Sequence, residues 1–212
     1  MERRFTPGTI ELRDAAQDGD APHIEGYAAV YYDGTERTEY ELWPGLRERI
    51  MPGAFDRVLA EGQDVRGLFN HDPNNVLGRT SANTMDLRLD ARGLPYDIAV
   101  PDTTVGRDLL TSIKRSDVTG SSFSFLVAPG GQRFKDVGET TIREITEFDA
   151  VFDVGPVTFP AYTATTTGAR GVGELDELRE SLDAWRSAKA LRRQRIAIRA
   201  ALIQKDLTRR GR

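Results

Sequence analysis

With 212 residues, 39% of them hydrophobic and 29% charged, the chain has the make-up of one soluble domain plus an appendage and is long enough to bury a core. It contains no cysteine and two histidines, His23 and His71, which excludes a disulfide framework, a thiolate nucleophile and cysteine-ligated zinc, and leaves a poor donor set for any other metal site. The net charge of −4 conceals a split, with 11 basic and 6 acidic residues from Glu174 onward (+5) and 18 basic and 27 acidic before it (−9), so the body is no candidate for a nucleic-acid-binding core, while the tail suits an acidic partner.

In chain order, the start Met1-Glu2-Arg3-Arg4-Phe5 lacks the apolar core of a leader, and no stretch approaches the about 18 apolar residues of a membrane helix, so a chain kept in the cytosol is expected. Alternating runs predict strands over Thr9 to Arg13 and Ile24 to Tyr32, then an extended Glu41 to Ile50 interrupted at Pro44-Gly45. Pro52-Gly53-Ala54-Phe55 opens a short helix with Phe55, Val58 and Leu59 on one stripe. Val65 to Phe69 reads as a strand with His71 at its end, beside the loop Asp72-Pro73-Asn74-Asn75, a place where site residues are commonly displayed. Val76 to Thr80 resumes the sheet, and Thr84 to Leu89 pairs with Leu94 to Val100 as a hairpin. Thr103 or Thr104 caps a helix to about Arg115, with Val105, Leu109, Leu110 and Ile113 inward.

The stretch Thr119-Gly120-Ser121-Ser122-Phe123-Ser124-Phe125 follows. As a strand it turns Phe123 and Phe125 to one face and Ser122 and Ser124 to the other. Thr140 to Phe148 is a further strand, and Asp149 to Val154 alternates, with Asp149, Val151 and Asp153 expected on one face. Pro156 and Pro160 are expected to end the sheet. A flexible linker over 163–173 and a charged helix from Glu174 to about Thr208, acidic at its start and basic at its end, complete the chain. The expected architecture is mainly β with flanking helices, a sandwich or small barrel. Serine-histidine-acid chemistry needs a base for the hydroxyl proton and an acid to orient the imidazole. Ser122, His71 and Asp153 or Asp149 supply those types, with Ser121 and Ser124 as neighbouring hydroxyls.

Four motifs occur in order: Pro52-Gly53-Ala54-Phe55; Leu68-Phe69-Asn70-His71-Asp72 with Leu77-Gly78-Arg79-Thr80; Gly120-Ser121-Ser122-Phe123-Ser124-Phe125; and Asp153-Val154-Gly155-Pro156-Val157-Thr158-Phe159-Pro160-Ala161-Tyr162. In this order the chain resembles the prohead (capsid maturation) serine proteases of tailed bacteriophages with Hong Kong-type capsids, over roughly Ile24 to Thr167. The resemblance implies a fold related to the herpesvirus assembly proteases, a β-barrel ringed by helices (α+β), here with a C-terminal charged helix. It implies a protease domain over 1–162, before the linker and the 174–212 tail. It implies a serine endopeptidase that works without a cofactor or metal inside the procapsid in the host cytoplasm. Its partners would be the scaffold protein and the major capsid protein, with possible self-association and self-cleavage, and neither nucleic acid nor membrane.

Residue by residue, His71 matches the family's histidine and Ser122 its serine. Ser121 stands for the family's methionine and Ser124 for its second glycine, which leaves either hydroxyl as an alternative nucleophile. Asp153 stands for the family's glutamate and Gly155 for the serine that follows, with Asp149 as the other candidate acid. The competing reading is a catalytically inactive capsid-assembly or scaffolding module on the same fold. The basic tail reads either as a helix packed back on the acidic body or, preferred here, as a delivery segment that binds scaffold or capsid helices. Truncation after Thr167 is expected to abolish entry into procapsids, measured by mass spectrometry of purified particles; undiminished entry would remove the delivery role.

Overall fold

Short alternating runs between glycine and proline turns favour strands over helices. The computed structural model, which describes residues 1–7, 10–15, 20–159 and 172–210, assembles such runs into three sheets. The strands are β1 (Glu2–Thr6), β2 (Ile10–Arg13), β3 (His23–Val30), β4 (Tyr40–Trp43), β5 (Leu46–Ile50), β6 (Arg66–Leu68), β7 (Val76–Arg79), β8 (Met85–Leu87), β9 (Gly93–Ala99), β10 (Gly120–Val127), β11 (Gln132–Val137), β12 (Thr140–Ile145) and β13 (Phe148–Val157). The α-helices are α1 (Asp56–Ala60), α2 (Thr104–Lys114) and α3 (Val172–Arg210). Mainly β with a few helices is thus the observed class. The first sheet runs β1-β10-β13-β6-β7, the second β11-β12-β5-β4 and the third β2-β3-β9-β8. None of them closes on itself among the described residues, and the barrel stays what the family resemblance implies.

The chain divides into two compact units, Met1–Thr166 and Thr167–Arg212. In the second, α3 runs unbroken, with Leu191, Ile196 and Ile198 exposed. The linker expected over 163–173 lies outside the described residues as far as position 171. In the first unit, the expected hairpins and helices form with small shifts at their ends. Pro44-Gly45 makes the turn between β4 and β5, and the Thr103 hydroxyl caps α2 by accepting from the Gly106 N–H at 3.1 Å.

Four features depart from expectation. β1 and β11 were not foreseen: Glu2-Arg3-Arg4-Phe5-Thr6 and Gln132 to Val137 are too charged to show a clean alternation, yet each pairs along its whole length with a more apolar strand, β10 and β12 respectively. The single strand expected to continue through Phe148 breaks after Ile145, and the chain changes sheet to begin β13. Pro156 does not end β13, which continues to Val157; its carbonyl accepts from the Asn70 N–H at 3.0 Å.

The core is aromatic at its centre. Phe123 stacks on Phe125 at 4.8 Å and Phe55 on Phe148 at 4.4 Å, and Phe148 stands edge-on to both β10 rings at 5.8 and 4.9 Å. All four rings are fully buried, and such pairs add about 0.5–1.5 kcal/mol each beyond the area they bury.

β1 is tied across to the second sheet by charge. Glu48, without exposed surface, accepts from Arg4 at 2.6 and 2.8 Å and from Arg143 at 2.7 Å. Glu2 accepts from Arg4 and Arg143, both at 2.7 Å. Burial works against the Glu2 charge, but the Arg143 hydrogen bond and the charges of Arg4 and Arg143 outweigh it and lower its carboxyl from 4.5 to about 2. A carboxyl depressed in the folded state contributes stability above its unfolded value that is lost as pH falls through the folded value. Denaturation titrations should therefore show stability falling between about pH 4.5 and about pH 2. Glu2→Gln is expected to flatten that fall; an unchanged pH profile would show that Glu2 contributes nothing to it.

Candidate active site

The pleat of β10 separates core from site. Phe123 and Phe125 point into the aromatic cluster, so Ser122 and Ser124 point to the other face. Gly120 opens the strand because Phe5 of β1 lies where a side chain would go: a Cβ there would be 2.1 Å from the Phe5 ring. On the partner strand β13, Gly155 lies opposite Ser122 and Asp153 opposite Ser124. Gly155 has φ +152, and a Cβ on it would meet the Leu68 carbonyl oxygen at 2.2 Å, so only glycine lets β6 pass this close.

That passage brings in His71. β6 runs parallel to β13 and ends at Leu68. The next turn is closed by Asp72, whose N–H donates to the Phe69 carbonyl at 3.2 Å and whose carbonyl accepts from Asn75 at 2.9 Å. Asn70 and His71 both take left-handed backbone, φ 57 and 55. Asparagine tolerates this, whereas histidine there costs on the order of 1–3 kcal/mol and persists only where its surroundings hold it. The holding is visible: besides the bond from its N–H to Pro156, Asn70 donates from Nδ2 to Thr158 Oγ1 at 3.0 Å and accepts from the Thr158 N–H at 2.8 Å.

The outcome is one hydrogen-bonded line. His71 Nε2 lies 2.7 Å from Ser122 Oγ, and His71 Nδ1 is bonded to Asp153 Oδ1. A carboxylate only accepts, so the proton sits on Nδ1 and the Nε2 lone pair faces the serine hydroxyl. The second Asp153 oxygen, Oδ2, accepts from the Ser124 hydroxyl. Ser122 and Ser124 have no exposed surface, and the side chains of His71 and Asp153 keep 8% and 9% of theirs.

The other candidates lie elsewhere. Ser121, on the aromatic side of the pleat, is 2.7 Å from the Tyr96 hydroxyl. Burial pushes that phenol up, so its partner is a neutral hydroxyl and no base. Asp149, Val151 and Asp153 do not share a face as expected. Phe125 pairs with Val151 while Ser124 pairs with Asp153, and Val127 pairs with Phe148 while Leu126 pairs with Ala150, so Phe152 and Asp149 are both extra residues that break the alternation. Val151 turns into the core, Asp153 to the site, and Asp149 to an ion pair with Arg57 at 3.3 Å. Of the two candidate acids, Asp153 is the one that reaches His71.

Sequence reasoning passed over Asn70, Gly155 and the contact of Ser124. Asn70 carried a usable signal, a residue tolerant of left-handed backbone between a strand and a histidine.

Comparison with known proteins bears on what such a line does. Residues 9–177 match the model of the family described as Peptidase_S78, Caudovirus prohead serine protease. Among solved structures, the chain is similar to the bacteriophage T4 capsid assembly protease gp21, at 14% identity and a TM-score of 0.45, over 76% of this chain and 100% of that one. No curated relative matches the chain.

Asn70 and Thr158 are exposed, so if Asn70 holds the histidine turn, Asn70→Ala should cost about 0.5–1.5 kcal/mol, the net contribution of an ordinary hydrogen bond, measured by urea denaturation. A loss below about 0.5 kcal/mol, the ordinary surface value, would mean the turn keeps its strained backbone unaided.

Proposed function

The chain belongs to the caudovirus prohead serine protease family, and on that premise we propose that it is a serine endopeptidase of capsid maturation with Ser122 as nucleophile, His71 as general base and Asp153 as the acid that orients it. The observation that carries this is the 2.7 Å contact between His71 Nε2 and Ser122 Oγ on an imidazole whose other nitrogen is already bonded to a carboxylate.

In this reading His71 Nε2 takes the Ser122 proton as Oγ attacks the scissile carbonyl carbon. The tetrahedral intermediate collapses, the C–N bond breaks, and His71 gives its proton to the leaving amine. Water deprotonated by the same nitrogen then attacks the ester and frees Ser122. Asp153 keeps the tautomer and stabilises the imidazolium. Oxyanion stabilisation would fall to backbone N–H groups, since two preorganised donors are required. The substrates would be the scaffold protein or the scaffold-like arm of the major capsid protein, cut inside the procapsid, and the chain itself. The herpesvirus-like barrel implied by the family resemblance belongs to this proposal too.

One observation favours a second reading, a catalytically inactive capsid-assembly module: Ser122 has no exposed surface, so a peptide carbonyl reaches Oγ only after neighbouring groups move. Co-expression with the adjacent capsid and scaffold proteins, read by intact mass, separates the two. Cleavage by the wild type is expected to vanish in Ser122→Ala and in His71→Ala. Asp153→Asn should reduce it by about 10⁴-fold, the loss that follows when an imidazole is left in the wrong tautomer, and Asp149→Asn should leave it intact. Cleavage that survives Ser122→Ala would overturn the assignment, and assembled procapsids without cleavage by any form would favour the inactive module.

A further inference from the structure

Resting on that reading, we propose that Ser124 is a positioning residue: its hydroxyl, bonded to Asp153 Oδ2, holds the carboxylate in the one orientation that reaches His71. The register carries the first step. Ser124 and Asp153 are directly opposed across β10 and β13, where Cβ atoms stand about 4.5–5.5 Å apart. The aspartate therefore projects beside Ser124, and its two oxygens divide, Oδ2 to the serine and Oδ1 to His71 Nδ1.

The environment carries the second. Asp153 is 6% exposed and Ser124 fully buried. Among the described residues, the Asp153 carboxylate has His71 and Ser124 as its hydrogen-bond partners. A buried carboxylate with one oxygen unsatisfied carries a large desolvation penalty and turns toward whatever donor it finds. With Oδ2 held by Ser124, rotation about the Cβ–Cγ bond is blocked, and Oδ1 stays on the imidazole.

The sequence supplies the third. A short acid at position 153 and a hydroxyl at position 124 occur together in this chain. An aspartate has little reach of its own, so a donor directly across the ladder is what fixes its end. Ser124, two residues from Ser122 on the same face, thus serves the acid while Ser122 faces the base.

The test uses the full chain and two readouts: the rate at which a fluorophosphonate phosphonylates Ser122 with loss of fluoride, and the deshielded Nδ1–H proton of the His71–Asp153 bond seen by proton NMR. Ser124→Ala is expected to slow phosphonylation by about tenfold or more, as for a lost hydrogen bond to a charged group, and to move the low-field proton upfield or broaden it. Ser124→Thr, which keeps the hydroxyl, should restore both. Slower phosphonylation with an unmoved low-field proton would show a merely structural role and overturn the proposal, as would a variant that matches the wild type in both. If Ser124→Ala does not fold, Ser124→Cys fills the site with a weak donor and is expected to shift both readouts in the same direction. Failure of the wild type to react with the probe would sink the protease reading alone, because the NMR signal still decides whether Ser124 positions Asp153.

Discussion

The antiparallel ladder between β10 and β13 does two jobs with one set of hydrogen bonds. A strand turns successive side chains to opposite faces, so the same residues that anchor Phe123 and Phe125 in the aromatic core hold Ser122 and Ser124 away from it. Slipping the ladder by one residue would put hydroxyls into the core and rings into the site. The position of Ser122 is therefore maintained by the burial of its neighbours, and any loss of packing around Phe148 is felt at the site face. The bulge at Phe152 is the complementary device. By inserting one residue it lets β13 contribute Val151 to the core and Asp153 to the site, which strict alternation would forbid.

His71 is held differently, against its own preference. It sits in left-handed backbone on a turn after a strand of three residues. Three features of β13 and the residue after it compensate: the bare backbone of Gly155, which admits Leu68, the Pro156 carbonyl, and the Thr158 N–H. Each acts on β6 or on Asn70, and none touches the imidazole. The ring is thus placed by its backbone, and its two nitrogens remain for Ser122 and Asp153. Strain gathered at one turn and opposed by a rigid neighbour is the arrangement in which such a conformation persists.

Much of this was legible from residue pattern alone. The Phe/Ser alternation of 121–125 is visible in the letters, as are the hairpin turns and the α2 stripe, because local period and turn chemistry determine them. The three residues that meet in space, His71, Ser122 and Asp153, were picked out by the family resemblance of their motifs and not by residue pattern alone. What stayed hidden depended on partners distant in sequence. β1 and β11 are charged strands whose form comes from the strands they pair with. The two register shifts that set Asp149 apart from Asp153 are properties of pairing, which no single strand encodes. The bond of Ser124 to Asp153 stayed hidden because it depends on a cross-strand neighbour 29 positions away. Pro156 seemed a sheet terminator because the rule concerns its missing N–H, whereas the structure uses its carbonyl.

The first strand connects these themes. β1 lies on the free side of β10, with Phe5 opposite Ser122 and its ring against Gly120. It pairs with β10 through its backbone, but its charged side chains Glu2 and Arg4 reach to Glu48 of β5 and Arg143 of β12, in a different sheet. A buried set of charges of this kind seldom adds net stability over well-packed apolar side chains; its removal in part is what costs, about 3–5 kcal/mol when one partner is left uncompensated. Its contribution here is better understood as registration. Arg4 and Glu2 meet both Glu48 and Arg143 only when β1 is in the register that also sets Phe5 opposite Ser122. The ion network and the hydroxyl face of β10 are consequently aligned by the same strand, and the outer edge of the site strand is specified by electrostatics as its inner edge is by packing.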